Sequence, residues 1–82
     1  MRIPLVEIEW TDTTFVSGWK TLKEHQNEKP NLCRTVGNLI RVSRHSLHVV
    51  ATQDDQGNVA DQTIIPRRCV RRMRRIPRLW KR

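Results

Sequence analysis

Short strand-like runs separated by turn-forming residues constrain the fold of this chain more than any other feature. Apolar and polar residues alternate over residues 5–10, so Val6, Ile8 and Trp10 would all face one side of a strand. A period of two is typical of a strand with one buried face. Four further strands are predicted over residues 33–43, 47–53, 59–65 and 70–76.

The segments between these runs carry residues that end strands. Residues 54–58, with Asp, Gly and Asn, form a clear turn signal. Gly37 lies inside the second predicted strand and indicates a bulge or a sharp bend. Pro66 ends the fourth strand, and residues 67–69 are predicted to form one turn of 3₁₀ helix. Residues 19–28 are polar with good helix formers, which predicts a short helix between the first two strands.

This order of elements predicts an all-β protein built as a small, strongly bent five-stranded barrel of the SH3 or Sm type. An OB-fold is the alternative, although its strands are usually longer. The 82 residues suffice for one small domain. We assign residues 1–76 to the barrel and residues 77–82 to a basic C-terminal tail. Small barrels expose strand edges, which favours homo-oligomers formed by pairing between copies.

Positive charge is concentrated at the C-terminal end. Residues 67–82 carry nine Lys/Arg and no acid, whereas the first 66 residues have a net charge of −1. Such asymmetry is typical of proteins that bind a polyanion. Eight of the nine cations are arginines, which pair with phosphate in a planar bidentate geometry. The predicted phosphate-binding residues are Arg67, Arg68, Arg71, Arg72, Arg74, Arg75, Arg78, Lys81 and Arg82.

Three further residues are added to this predicted surface. Arg41 and Arg44 flank the second hairpin and could extend the positive charge, although a solvated hairpin tip is the alternative. Trp80 lies among the cations and is a candidate for stacking on a base. Phosphate contacts position a protein without selecting a sequence, so we expect strong salt dependence and little sequence choice.

Other interpretations of the basic tail stay open. It could be a charged end without a specific ligand, or it could bind an acidic protein. Val70, Met73, Ile76 and Trp80 have a rough helical spacing that would suit an anionic membrane surface, but Pro77 interrupts such a helix.

Two side-chain clusters have a structural and a functional interpretation. Trp10, Asp12, Ser17 and Trp19 could line a ligand pocket, but we favour a structural role in which the rings cap the core and the polar groups hold the loop. The set Cys33, His45, His48 and Cys69 has no familiar zinc-ligand spacing, so no metal is predicted. The two cysteines are predicted to be small, half-buried apolar residues without a disulfide.

No motif for catalysis or membrane insertion is present in this sequence. It lacks a Gly-x-Ser-x-Gly nucleophile motif, a phosphate-binding glycine loop and a His-Glu-x-x-His motif. The chain is therefore predicted not to be an enzyme and to need no cofactor. No apolar run approaches the length of a membrane span, and residues 1–10 lack the apolar core of a signal peptide. These features predict an intracellular protein.

A series of short motifs resembles a group of small uncharacterised proteins encoded by bacteriophages. The shared pattern covers roughly residues 6–75. Its members here are Trp10-Thr11-Asp12, Gly18-Trp19, Cys33-Arg34-Thr35-Val36-Gly37, Leu47 to Ala51, Gly57, and Ile65-Pro66 with Val70 and Met73. The resemblance implies a phage or prophage origin, a location in the cytoplasm of the infected bacterium and a small β-barrel. It implies no activity, and the basic C-terminal end departs from its pattern.

Together these features predict a non-catalytic phage accessory protein that binds DNA or RNA through its C-terminal arginines. One alternative is an inhibitor that binds a host protein during infection. Another is an oligomeric sponge that sequesters a nucleotide immune signal of the host. A sponge would need a shaped pocket, lined by groups such as Arg34 or Arg68.

Overall fold

The computed structural model describes residues 3–77 and confirms the predicted mainly β fold. Its elements are β1 (Leu5–Asp12), α1 (Leu22–Gln26), β2 (Asn31–Val42), β3 (Ser46–Gln53), β4 (Val59–Pro66), a 3₁₀ turn (Arg67–Cys69) and β5 (Val70–Arg75). The five strands form one antiparallel sheet in the order β4-β3-β2-β1-β5. Within residues 3–77, no helix has the length and apolarity needed to cross a membrane.

The sheet curls around one apolar cluster. From β1, β3 and β4 this cluster contains Val6, Ile8, Leu47, Val49 and Ile65. Because β2 lies between β1 and β3 in the sheet, these side chains meet only if the sheet bends. The ladders described for residues 3–77 run from β4 to β5 without joining these two end strands. Closure into a barrel therefore stays a prediction.

Gly37 lets β3 pack directly against the backbone of β2. A Cβ atom at this position would lie 2.6 Å from Val49 Cγ1 and 2.7 Å from the carbonyl oxygen of Val50. Both distances are shorter than the usual contact distance between carbon and neighbouring heavy atoms. The bulge or bend predicted at Gly37 is not at that residue, because the register of β2 shifts between Leu39 and Arg41. Gly37 is instead required by the close approach of β3.

The predicted alternation along β1 is confirmed. Val6 and Ile8 are buried, and Trp10 is half-buried against the apolar cluster. The indole Nε1–H of Trp10 donates a hydrogen bond of 3.0 Å to Thr35 Oγ1 on β2. This bond satisfies the one polar group of the ring, so Trp10 can pack on the core without leaving a donor unpaired.

Local side-chain hydrogen bonds set the turn before β4. Asp54 Oδ1 accepts from the backbone N–H groups of Gln56 and Asn58, at 2.9 and 2.8 Å. Asn58 Nδ2 donates to Asp54 Oδ2 at 2.9 Å. These bonds from Asn58 and Gln56 lower the pKa of Asp54. Gly57 adopts a φ of 86°, which is why the turn needs glycine there.

Candidate phosphate-binding site

An open pocket of about 430 Å³ lies between the β2–β3 hairpin and the 3₁₀ turn. We call it the basic pocket, and its lining residues are Arg44, His45, Pro66, Arg67 and Arg68. Three of these side chains are permanently positive and none is acidic. One predicted hairpin arginine and two predicted C-terminal arginines therefore share one concave surface.

The register between β3 and β4 brings the two parts of the pocket together. Ser46 pairs with Pro66, so the chain leaves β4 beside the start of β3. The backbone N–H of Arg67 then donates to the His45 carbonyl at 2.8 Å. The Arg67 side chain donates from Nη1 to the Ser43 carbonyl at 3.2 Å. These two bonds fix the 3₁₀ turn against the hairpin.

The hairpin that carries Arg44 is itself held by serine side chains. Ser43 Oγ accepts from the backbone N–H groups of His45 and Ser46, at 3.3 and 3.0 Å. Ser43 N–H donates to the Ser46 carbonyl at 2.9 Å. A tip closed by side-chain and backbone bonds loses less conformational freedom when a ligand binds, so the backbone that carries Arg44 is partly pre-organised.

His48 and the cysteines lie in ordinary structural environments. His48 Nε2 is 2.9 Å from Ser46 Oγ, and Nδ1 is 2.9 Å from Gln62 Nε2, so both ring nitrogens have partners. Cys33 and Cys69 are free and half-buried, as predicted. Residues 3–77 contain no cluster of three or more His, Cys, Asp or Glu side chains that could hold a metal ion.

A second group of arginines lies beside acids on the sheet. The ladders place Glu7 opposite Arg74, and Glu9 opposite Arg34 and Arg72. Arg74 Nε donates to Glu7 Oε1 at 2.9 Å, while Arg34 lies 3.4 Å from Glu9 and 3.8 Å from Glu7. We call these five residues the ion-pair face. Its two carboxylates offset part of its positive charge.

The electrostatics of the ion-pair face follow from these contacts. The hydrogen bond from Arg74 lowers the pKa of Glu7, and the charges of Arg74, Arg34 and Arg72 lower it further. The same bond raises the pKa of Arg74. Arg74 is thus engaged by its own chain, whereas the basic pocket has no acid in its lining. The pocket is therefore the stronger candidate for an external anion.

Replacing Glu7 with Gln is expected to make the free energy of unfolding less dependent on pH under acid conditions. Because the folded-state pKa of Glu7 is lowered, its contribution is fully present above its ordinary pKa of 4.5. That contribution is lost as the pH falls through the folded-state pKa. Urea unfolding at neutral and acid pH should show a smaller difference for Glu7→Gln than for the wild type. An unchanged difference would contradict the role of this pair, and Glu24→Gln in α1 is the charge-matched control.

Three further predicted phosphate-binding residues within the described part of the chain are not in the pocket lining: Arg41, Arg71 and Arg75. Arg71 is the extra residue of a bulge, because Val70 pairs with Trp10 and Arg72 pairs with Glu9. Arg75 lies opposite Val6, and Arg41 lies opposite His48. All three arginines are exposed. Four of the predicted residues lie outside the described part of the chain: Arg78, Trp80, Lys81 and Arg82.

The predicted N-terminal cluster is divided between two environments. Trp10 packs on the core, and Asp12 Oδ1 accepts from the Thr13 N–H at 2.8 Å, which fits the structural interpretation. The structural interpretation is wrong for Trp19, because its side chain is fully exposed and does not cap the core. Ser17 is exposed as well. The four residues therefore do not form a pocket with aromatic walls.

Sequence reasoning missed an exposed apolar segment in the β1–β2 connection. Phe15, Trp19 and Leu22 in this connection are 91%, 103% and 75% exposed, and Leu32 at the start of β2 is 63% exposed. Leu22 belongs to α1, whose five residues include none that is buried. Their spacing is irregular, so periodicity offered no signal. Exposed apolar side chains this close in the sequence make the segment a candidate surface for binding another molecule.

Comparison with known proteins adds no relative: no protein-family model matches the chain, and no curated protein and no solved structure matches it.

Proposed function

We propose that this protein is a non-catalytic phage accessory protein that binds nucleic acid through phosphate groups, in the cytoplasm of the infected bacterium. The observation that carries the proposal is the basic pocket, in which Arg44, Arg67 and Arg68 line one concave surface without an acid. Guanidinium groups keep their charge at any working pH and match the geometry of phosphate oxygens. DNA or RNA is the leading ligand because it supplies such groups in a row.

The ion-pair face supports the proposal that phosphate binding is confined to one site and is not spread over all the exposed arginines. Glu7 and Glu9 lie beside Arg34, Arg72 and Arg74 and offset part of the attraction of these arginines for a phosphate. The basic pocket lacks this competition. Binding is therefore expected to depend on the position of the arginines and not only on the net charge of +8.

Fluorescence anisotropy with labelled duplex DNA and single-stranded RNA, each over a range of salt concentrations, tests the proposal. With three phosphate contacts in the pocket, a plot of the logarithm of the binding constant against the logarithm of the salt concentration should have a slope of about −2.7 for duplex and about −2.1 for a single strand. Exposed arginines outside the pocket would steepen it. Unrelated sequences of equal length should bind alike, since phosphate contacts carry no sequence information. Absence of binding to every probe at low salt would overturn the proposal.

The exposed apolar segment favours a second candidate function, the inhibition of a host protein. Phe15, Trp19 and Leu22 are three largely exposed apolar side chains within residues 15–22, and aromatic anchors often dominate protein interfaces. Salt dependence separates the candidates, because apolar binding persists at high salt while phosphate binding weakens steeply. The nucleotide sponge is a third candidate, for which the basic pocket supplies a cavity lined by Arg68.

A further inference from the structure

We propose that the basic pocket binds a phosphomonoester, the group found at a phosphorylated strand end or on a mononucleotide, in preference to an internal phosphodiester. This inference deepens the proposed function and rests on it, since it names the part of the ligand that the same pocket recognises.

Charge is the first argument. A phosphomonoester carries about −1.5 to −2 charges near neutral pH, as phosphorylated side chains do, whereas an internal diester carries one. The pocket gathers the guanidinium groups of Arg44, Arg67 and Arg68 around one cavity with no carboxylate in the lining. Clustering three like charges is costly in the free protein, and the more negative ligand relieves more of that repulsion.

The number of donors is the second argument. Arg44 belongs to the β2–β3 hairpin, while Arg67 and Arg68 belong to the 3₁₀ turn, so two separate parts of the chain supply three guanidinium groups to one pocket. A terminal phosphate presents three non-bridging oxygens, one for each guanidinium, and an internal diester presents only two. Arg67 uses Nη1 to bind the Ser43 carbonyl, which orients the guanidinium and leaves its other N–H groups for a ligand.

Shape is the third argument. The cavity of about 430 Å³ lies within the usual range for pockets that hold small ligands. An internal phosphate has chain on both sides, so both flanking segments of the strand must leave through the open side of the pocket. A strand end has chain on one side only. His45 and Pro66 offer ring surfaces in the same lining against which a terminal sugar or base could pack.

The test compares single-stranded oligonucleotides of one sequence that differ only at one end. Anisotropy is measured for 5′-phosphorylated, 3′-phosphorylated and unphosphorylated strands, each labelled at the opposite end. We expect at least one phosphorylated strand to bind about tenfold more tightly than the unphosphorylated strand, because it adds a charge-assisted contact. Adenosine monophosphate should compete better than its 3′,5′-cyclic form, which is a diester. This competition tests a monoester against a diester, and the affinity of adenosine monophosphate relative to that of the phosphorylated strand separates a free nucleotide from a strand end as the source of the group.

Two variants of equal charge locate the effect. Arg44→Ala/Arg67→Ala/Arg68→Ala should abolish the preference for the phosphorylated end. Arg34→Ala/Arg72→Ala/Arg74→Ala, which changes only the ion-pair face, should keep it. Preference that survives the first triple substitution would overturn the assignment of the monoester site to the basic pocket.

The outcomes separate this inference from the proposed function. Equal, salt-sensitive binding of all strands, with no advantage for adenosine monophosphate, would keep nucleic-acid binding and overturn the monoester inference. Binding of adenosine monophosphate without binding of any strand would support the monoester pocket and overturn nucleic acid as the ligand. Absence of binding to every probe would overturn both.

Discussion

The triple substitution Arg44→Ala/Arg67→Ala/Arg68→Ala is expected to weaken nucleic-acid binding by roughly 500-fold at about 0.1 M salt. Each phosphate contact on duplex DNA contributes about 0.9 to the log–log salt slope. Three lost contacts flatten the slope by about 2.7. If the two proteins bind equally at about 1 M salt, a tenfold drop in salt concentration then separates their affinities by roughly 500-fold. Anisotropy titrations of wild type and variant over a tenfold range of salt measure both quantities.

A charge-matched control decides whether position or net charge matters. Arg34→Ala/Arg72→Ala/Arg74→Ala also removes three arginines, but from the ion-pair face, where Glu7 and Glu9 already offset part of their charge. We expect this variant to lose far less affinity than the pocket variant. Equal losses in the two triple variants would show that the ligand responds to overall charge and would contradict a localised site.

Arg67 also stabilises the 3₁₀ turn through its bond to the Ser43 carbonyl, so a second variant keeps the test independent of folding. Arg44→Ala/Arg68→Ala leaves that bond intact. It should flatten the salt slope by about 1.8, in proportion to the two contacts removed. Circular dichroism of each variant checks that the sheet is retained.

Replacing Ile65 with Ala is expected to lower the free energy of unfolding by about 2–5 kcal/mol. Ile65 has no exposed surface and lies in the apolar cluster of β1, β3 and β4. A domain of 82 residues typically has a total stability of roughly 4–12 kcal/mol, so this loss is a large fraction of it. Urea unfolding followed by circular dichroism measures the change.

The preceding residue is the matched control for this substitution. Ile64 has the same side chain, lies on the opposite face of β4 and is 56% exposed. Ile64→Ala should change the free energy of unfolding by about 0.5 kcal/mol or less, as exposed substitutions usually do. Equal effects at Ile64 and Ile65 would mean that the buried face of β4 is wrongly assigned.

The strand pattern was predictable because it depends on neighbouring residues. Alternation along β1 identified Val6 and Ile8 as buried, and turn residues placed every strand boundary within about two residues of its observed position. The prediction for Trp19 failed for the opposite reason. An aromatic side chain in a loop has no periodic neighbours, and its exposure depends on whether another part of the fold covers it.

The division of the arginines was not predictable from their spacing. Alternation puts Arg72 and Arg74 on one face of β5, but only the placement of β1 between β2 and β5 brings Glu7 and Glu9 beside them. Arg44 and Arg67 meet because Ser46 pairs with Pro66 at the other end of the sheet. Neither pairing leaves a local signal in the chain.

The amino-acid sequence by itself determined the mainly β class, the five strands, the turns between them and the surplus of arginine at the C-terminal end. Only the tertiary structure decided which arginines have acidic partners on the sheet and which share an acid-free pocket. The physical reason is that strand period and turn chemistry act over a few residues, whereas strand order and register come from burying one apolar cluster with side chains distant in the sequence.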